Sequence, residues 1–161
     1  FSLIVGFILV IIFMFIKYKI FGLVSNISLI ANLFMMIGIL TMLEATLTLP
    51  GIAGIILTVG MAVDSNVLIY ERIKEELRTE KSIIHAFDTG YNKAKITVID
   101  ANVTTLIAAA ILFIFGSGPV KGFAVTLGIG IVTTLFSAYF IARHLTSVIV
   151  LNDKDRKYSK L

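Results

Sequence analysis

The chain has 161 residues, 58% of them hydrophobic and only 15% charged, with 14 Lys and Arg against 10 Asp and Glu for a net charge of +4. A soluble globular domain carries about 25% charged residues, so this balance excludes an ordinary water-soluble domain and points to an integral membrane protein. There is no cysteine, which excludes disulfide and thiolate chemistry.

The apolar stretches are long and unbroken. That predicts an all-α, polytopic helical bundle rather than the short alternating strands of a membrane barrel. Five transmembrane helices are expected, at about 1–16, 21–43, 49–71, 96–115 and 120–142. The first opens at Phe1 inside an apolar run, with no basic leader and no small-residue cleavage site. It is expected to belong to a longer chain rather than to be a signal peptide.

The connections assign sides. "KYK" follows the first segment, a charged stretch at 72–95 follows the third, and a polar tail at 143–161 follows the fifth. Thirteen of the 14 basic residues fall on these three connections, and only Lys121 falls opposite. The positive-inside rule makes the basic side cytoplasmic, with the C-terminus inside. The outer loops "EATLTLPG" and "GSGP" leave no room for a domain. Within 72–95, "YERIKEELR" is expected to prolong the third helix. Thr79 is then a candidate N-cap for a short amphipathic helix carrying Ile83, Ile84, Phe87 and Tyr91. The tail "LNDKDRKYSKL" reads as frayed, and its bases suit orientation and anionic lipid better than nucleic acid.

One carboxylate stands where it is costly. Asp64 lies seven residues before Glu71, about 10 Å along a helix from the basic edge. A side chain so short cannot snorkel, so an Asp at this depth is turned inward, paired or protonated. Gly60 shares its face, and Gly54 and Gly60 permit close helix approach. In the fourth segment Asp100, Asn102, Thr104 and Thr105 continue a polar track. Asn102 is expected about 9 Å in, close to the depth of Asp64. Asn66 either joins this track or, like Asn26 and Asn32, glues helices. The threonines can equally bond their own helix carbonyls, and Asp100 can be a wet cap. No Lys, Arg or His lies at the depth of Asp64 in any span. An ionised Asp64 therefore needs a base from another chain, or it is neutral or hydrated for part of a cycle. A group moved between such environments has its pKa driven in opposite directions and can carry a proton.

The fifth segment places Pro119 in its first turn, and Gly122, Gly128 and Gly130 are expected to serve close packing. "GSGP" lacks the Walker pattern. His85 and His144 stand alone, so no metal site, cofactor or catalytic nucleophile is expected, and the chain does not read as an enzyme.

Two long stretches then carry a resemblance over essentially the whole chain. "TLTLPGIAGIILTVGMAVDSNVLIYERIKEELR" and "VIDANVTTLIAAAILFIFGSGPVKGFAVTLGIGI" closely resemble the SecD/SecF family of bacterial protein-export subunits, within the resistance–nodulation–division superfamily. The "GMAVD" form is the SecD-like one. Ser65 and Tyr70 depart mildly from the usual Ala and Phe. The resemblance implies helices two to six of a six-helix half, with a first helix and an outer domain elsewhere. It implies work with SecF beside the SecYEG channel in the bacterial inner membrane, using the proton gradient to draw exported polypeptide outward. It makes Asp64 the key carboxylate and Asp100, Asn102, Thr104 and Thr105 its neighbours, with the opposing base supplied by SecF. Two other readings stay open: a proton-driven small-molecule efflux subunit of the same superfamily, and a passive assembly protein.

Overall fold

The computed structural model describes residues 1–79 and 82–152, and these form an all-helical bundle. In chain order the helices are α1 (Ser2–Tyr18), α2 (Ile20–Met42), α3 (Leu49–Thr79), α4 (Ile83–Phe115), α5 (Pro119–Phe136) and α6 (Arg143–Asn152). A π-helical segment, Ser137–Ala142, joins α5 to α6 without a break. Among the described residues four stretches are long and apolar enough to cross a membrane: α2, α3, α4 and the continuous helix Pro119–Ile149. The 17-residue α1 is shorter. The tail at 153–161, expected to fray, lies outside the described residues.

Two of the corners between successive helices share one backbone shape. Lys19, the single residue between α1 and α2, has φ 53° and ψ −117°. Gly118, just before α5, has φ 53° and ψ −121°. Glycine adopts this backbone freely and a residue with a Cβ does so only under strain. Gly22 completes the first corner, because a Cβ there would strike the Met14 carbonyl. At the head of α3, Thr48 Oγ1 accepts from the Gly51 N–H at 3.1 Å, which satisfies one of the free donors of a helix start.

The amphipathic stretch after α3 is helical as expected, but it is continuous with the fourth apolar segment. α4 runs 33 residues without interruption, roughly 50 Å against a hydrocarbon core of about 30 Å. No Pro interrupts it, and Gly90 sits where α3 passes closest. The cap also differs from expectation. Ser82 accepts from the His85 N–H at 3.5 Å, whereas the Thr79 hydroxyl donates back to the Glu76 carbonyl at 3.2 Å. Thr79 is the last residue of α3, so its hydroxyl serves that helix.

The α3–α4 hairpin is tightly closed. A Cβ on Gly90 would come within 2.6 Å of Ile73 Cγ1 and 2.9 Å of Ile73 Cα. Beside it the Glu76 side chain is only 8% exposed and meets Lys93 Nζ at 2.7 Å. An aromatic cluster gathers at this end: Tyr18 and Phe21 pack on Tyr70, and Phe87 and Tyr139 pack on Tyr91.

α5 is the central helix and interlocks with α3 through glycines and threonines. Gly54 of α3 lies against Thr126, where a Cβ would meet side-chain carbons at 3.3 Å. Conversely, Gly130 of α5 lies against Thr58, and Gly122 against Thr48. Gly128 is looser, with Leu106 at 3.9 Å as its near neighbour. Small residues thus let two backbones approach where no water is available to drive association. Large apolar side chains face outward along α1, α2 and α4, as lipid-facing surfaces require.

Candidate functional site

Asp64 sits at the centre of α3, fifteen residues from Leu49 and fifteen from Thr79. Within this chain it is exposed. Among the described residues it has no hydrogen-bond or ion-pair partner, and no base lies near its level. Gly60, one turn toward Leu49, is exposed too, and a Cβ built there meets nothing within 4 Å. Gly60 is therefore small for no reason internal to this chain, whereas Gly54 is buried against α5.

The polar residues grouped by sequence divide into two sets. Asp100 and Thr104 are exposed and Thr105 is half-buried. Both threonines donate within α4, Thr104 to the Asp100 carbonyl at 2.9 Å and Thr105 to the Ala101 carbonyl at 3.0 Å. Asn102 is buried, with its amide donating to the Val98 carbonyl at 2.7 Å and its Oδ1 lacking a partner among the described residues. Counted from the turn that joins the helices, Asp64 is level with Val98. Asp100 and Asn102 therefore lie half a turn to a turn further from that turn.

Asn66 belongs elsewhere. Two residues along a helix is about 200°, so Asn66 points away from Asp64. It is buried and donates to Ser25 Oγ of α2 at 2.9 Å. With it come Ser28, whose hydroxyl donates to the Ser137 carbonyl at 3.2 Å, and Asn32, whose amide donates to Thr134 Oγ1 at 3.2 Å. This inner seam ties α2, α3 and α5 together. Ser25, Ser28 and Asn32 follow i, i+3, i+7 spacing, so one helical face of polar residues was there to be read.

Charged residues collect at the ends of the helices that meet near residues 17–19, 71–95 and 143. Glu71 takes Lys17 at 3.4 Å, Lys74 at 3.6 Å and the Tyr18 hydroxyl at 2.7 Å. Glu76 takes Lys93 and, at 3.5 Å, Arg72. Arg143 meets Asp88 at 3.0 Å. Among the described residues no three potential metal ligands gather.

The family model described as "Protein export membrane protein SecD/SecF, C-terminal" matches residues 1–152. The chain belongs to the SecD/SecF family. Among the SecD relatives, the protein translocase subunit SecD of Magnetococcus marinus is 51% identical over 94% of this chain and 29% of its own length. That of Rickettsia prowazekii is 54% identical over 98% of this chain and 30% of its own length. The crystal structure of SecDF, a translocon-associated membrane protein from Thermus thermophilus, superposes with a TM-score of 0.92 at 42% identity, covering 96% of this chain and 22% of that one. A SecDF structure in a super-membrane-facing form gives 0.89 at 42% identity, covering 95% of this chain and 21% of that one. This chain thus spans less than a third of the SecD relatives it matches.

Proposed function

We propose that this chain is the membrane part of a SecD-type translocase subunit that, with SecF and beside the SecYEG channel, uses the proton gradient to move exported polypeptide outward. One observation carries the reading: a carboxylate at the centre of a membrane helix, exposed on the bundle surface, with no partner of its own. An ionised Asp facing lipid costs at least about 2.5–3.5 kcal/mol. Asp64 is therefore covered by a second bundle, that of SecF, or carries a proton when uncovered. A base brought to it from SecF favours the charged form, and withdrawal of that base favours the neutral one. Protons cross as Asp64 alternates between the two. Gly60, free of contacts here, leaves room on the same face for the second bundle. Asp100 and Thr104 are polar groups that line the route, and Asn102 is buried beside it, bonded within α4. The outer domain that grips the polypeptide lies outside this chain. The basic helix ends and the C-terminus face the cytoplasm of a bacterium, and the protein sits in the inner membrane.

The test uses full-length protein with SecF in inverted vesicles. Asp64→Asn is expected to abolish the gradient-dependent increment of export while assembly with SecF persists, and Asp64→Glu to retain part of it. Export that keeps its full gradient response in Asp64→Asn removes Asp64 from the coupling role. Indifference of export to the gradient in the parent protein favours an efflux or assembly function.

A further inference from the structure

One ion pair of the basic end lines a cavity instead of closing a helix contact. Asp88 of α4 and Arg143 of α6 meet at 3.0 Å and stay open, 59% and 37% exposed. Glu76, by contrast, is shut in against Lys93. The cavity between the start of α4 and α6 holds about 410 Å³, within the roughly 300–1,000 Å³ of small-molecule sites. Ile84 and Phe87 give it an apolar wall, and His85 and Ser147 add polar groups. The Ser147 hydroxyl has no hydrogen-bond partner among the described residues. Arg143 carries a planar fork of N–H donors, and its contact with Asp88 leaves donors for a second acceptor.

The depth of this cavity is that of a lipid headgroup. Asp88 lies 27 residues from Phe115, and Arg143 lies 24 residues from Pro119. Those are about 40 Å and 36 Å along the helices, before tilt shortens them. With the turn between Phe115 and Pro119 at one edge of a hydrocarbon core about 30 Å thick, the pair falls beyond the other edge. Headgroups occupy that level, since they extend a bilayer to about 40–45 Å. Within two turns of Arg143 on the hydrocarbon side come Phe140 and Phe136, both exposed, with rings stacked at 5.0 Å. They are a surface for an acyl chain.

We propose that this cavity binds the headgroup of a phosphatidylethanolamine lipid, with its phosphate on Arg143 and Ser147 and its ammonium on Asp88. The charges select the headgroup. A purely anionic one brings its charge beside Asp88, and no second Lys or Arg among the lining residues offsets that. A zwitterion with an acid and an amine close together matches a base and an acid 3.0 Å apart. It exchanges one ion pair for two charge-assisted contacts. Choline carries no N–H for Asp88, and the aromatic face it would otherwise seek, Tyr91, is covered by Arg143 at 5.5 Å. The site needs only a bilayer and stands apart from the proton reading at Asp64.

Native mass spectrometry of the full-length protein, released from detergent with equal amounts of phosphatidylethanolamine, phosphatidylcholine and phosphatidylglycerol, tests this. The parent protein is expected to retain the ethanolamine lipid about tenfold more than either rival, the effect of one charge-assisted hydrogen bond. Asp88→Asn is expected to put the glycerol lipid ahead of the ethanolamine lipid, a gain that a misfolded variant cannot give. Arg143→Gln is expected to lower retention of the ethanolamine lipid about tenfold, and Arg143→Lys to keep part of it. Equal retention of the three lipids by the parent protein, a parent preference for the glycerol lipid, or a parent-like order in Asp88→Asn overturns the proposal.

Discussion

Asp64 and Asn66 are two residues apart and do opposite things. One faces outward from the bundle with no partner, and the other bonds Ser25 inside it. The depth of Asp64 was legible because depth is a count of residues along a helix. Its face was only partly legible: helix geometry separates it from Asn66, yet the sequence does not say which side faces the bundle. The same holds for Glu76. "ERIKEELR" reads as a solvated charged stretch, but Glu76 is covered where Gly90 lets α4 close on α3. Burying a carboxylate is tolerated only with its cations in place. Lys93→Gln is expected to destabilise the hairpin by about 1 kcal/mol, a modest figure because Lys93 is half exposed and Arg72 still serves Glu76. Thermal unfolding in detergent measures it, and a matching loss in Glu76→Gln alone, not added to in the double variant, shows the pair to be responsible.

At the scale of elements, the existence and membrane character of the helices followed from runs of apolar residues. The corners and the π turn did not, because they depend on how two helices meet. Lys19 and Gly118 share one backbone conformation, and only Gly118 is suited to it. Lys19→Gly is expected to raise stability by up to about 1 kcal/mol, and Gly118→Ala to lower it by about 1–2 kcal/mol. Opposite signs in unfolding midpoints check this, and equal losses contradict it. The glycines of α3 likewise separate by environment. Gly54→Val overpacks against Thr126 and is expected to cost about 1–3 kcal/mol. Gly60→Val meets open space in this chain, so its folding is expected to be unchanged while co-purification with SecF falls. The seam residues Ser25, Ser28 and Asn32 carried a readable period. Asn32 reads as helix glue and bonds Thr134, but the two serines went unread because single hydroxyls in apolar helices commonly bond their own backbone, as Thr104 and Thr105 do.

For the whole molecule, the split of charge carries the proposed orientation. Ser82, at the start of α4, and Ser117, in the short turn before α5, lie at opposite ends of that helix. Cysteines placed singly at each are expected to be labelled from opposite sides, Ser82 from the cytoplasm and Ser117 from outside. Labelling of both from one side contradicts the arrangement. The exposed Asp64 in the middle of an apolar bundle is, on the proposed function, the face that a second bundle covers, and the SecD relatives this chain matches are more than three times its length. The central claim is that Asp64 titrates during transport, and export driven by the gradient in Asp64→Asn, with full-length protein and SecF, tests it most directly. Asn keeps the size and hydrogen bonding of Asp but holds no exchangeable charge, so the account predicts normal assembly and no gradient-dependent increment. A full increment in Asp64→Asn contradicts it.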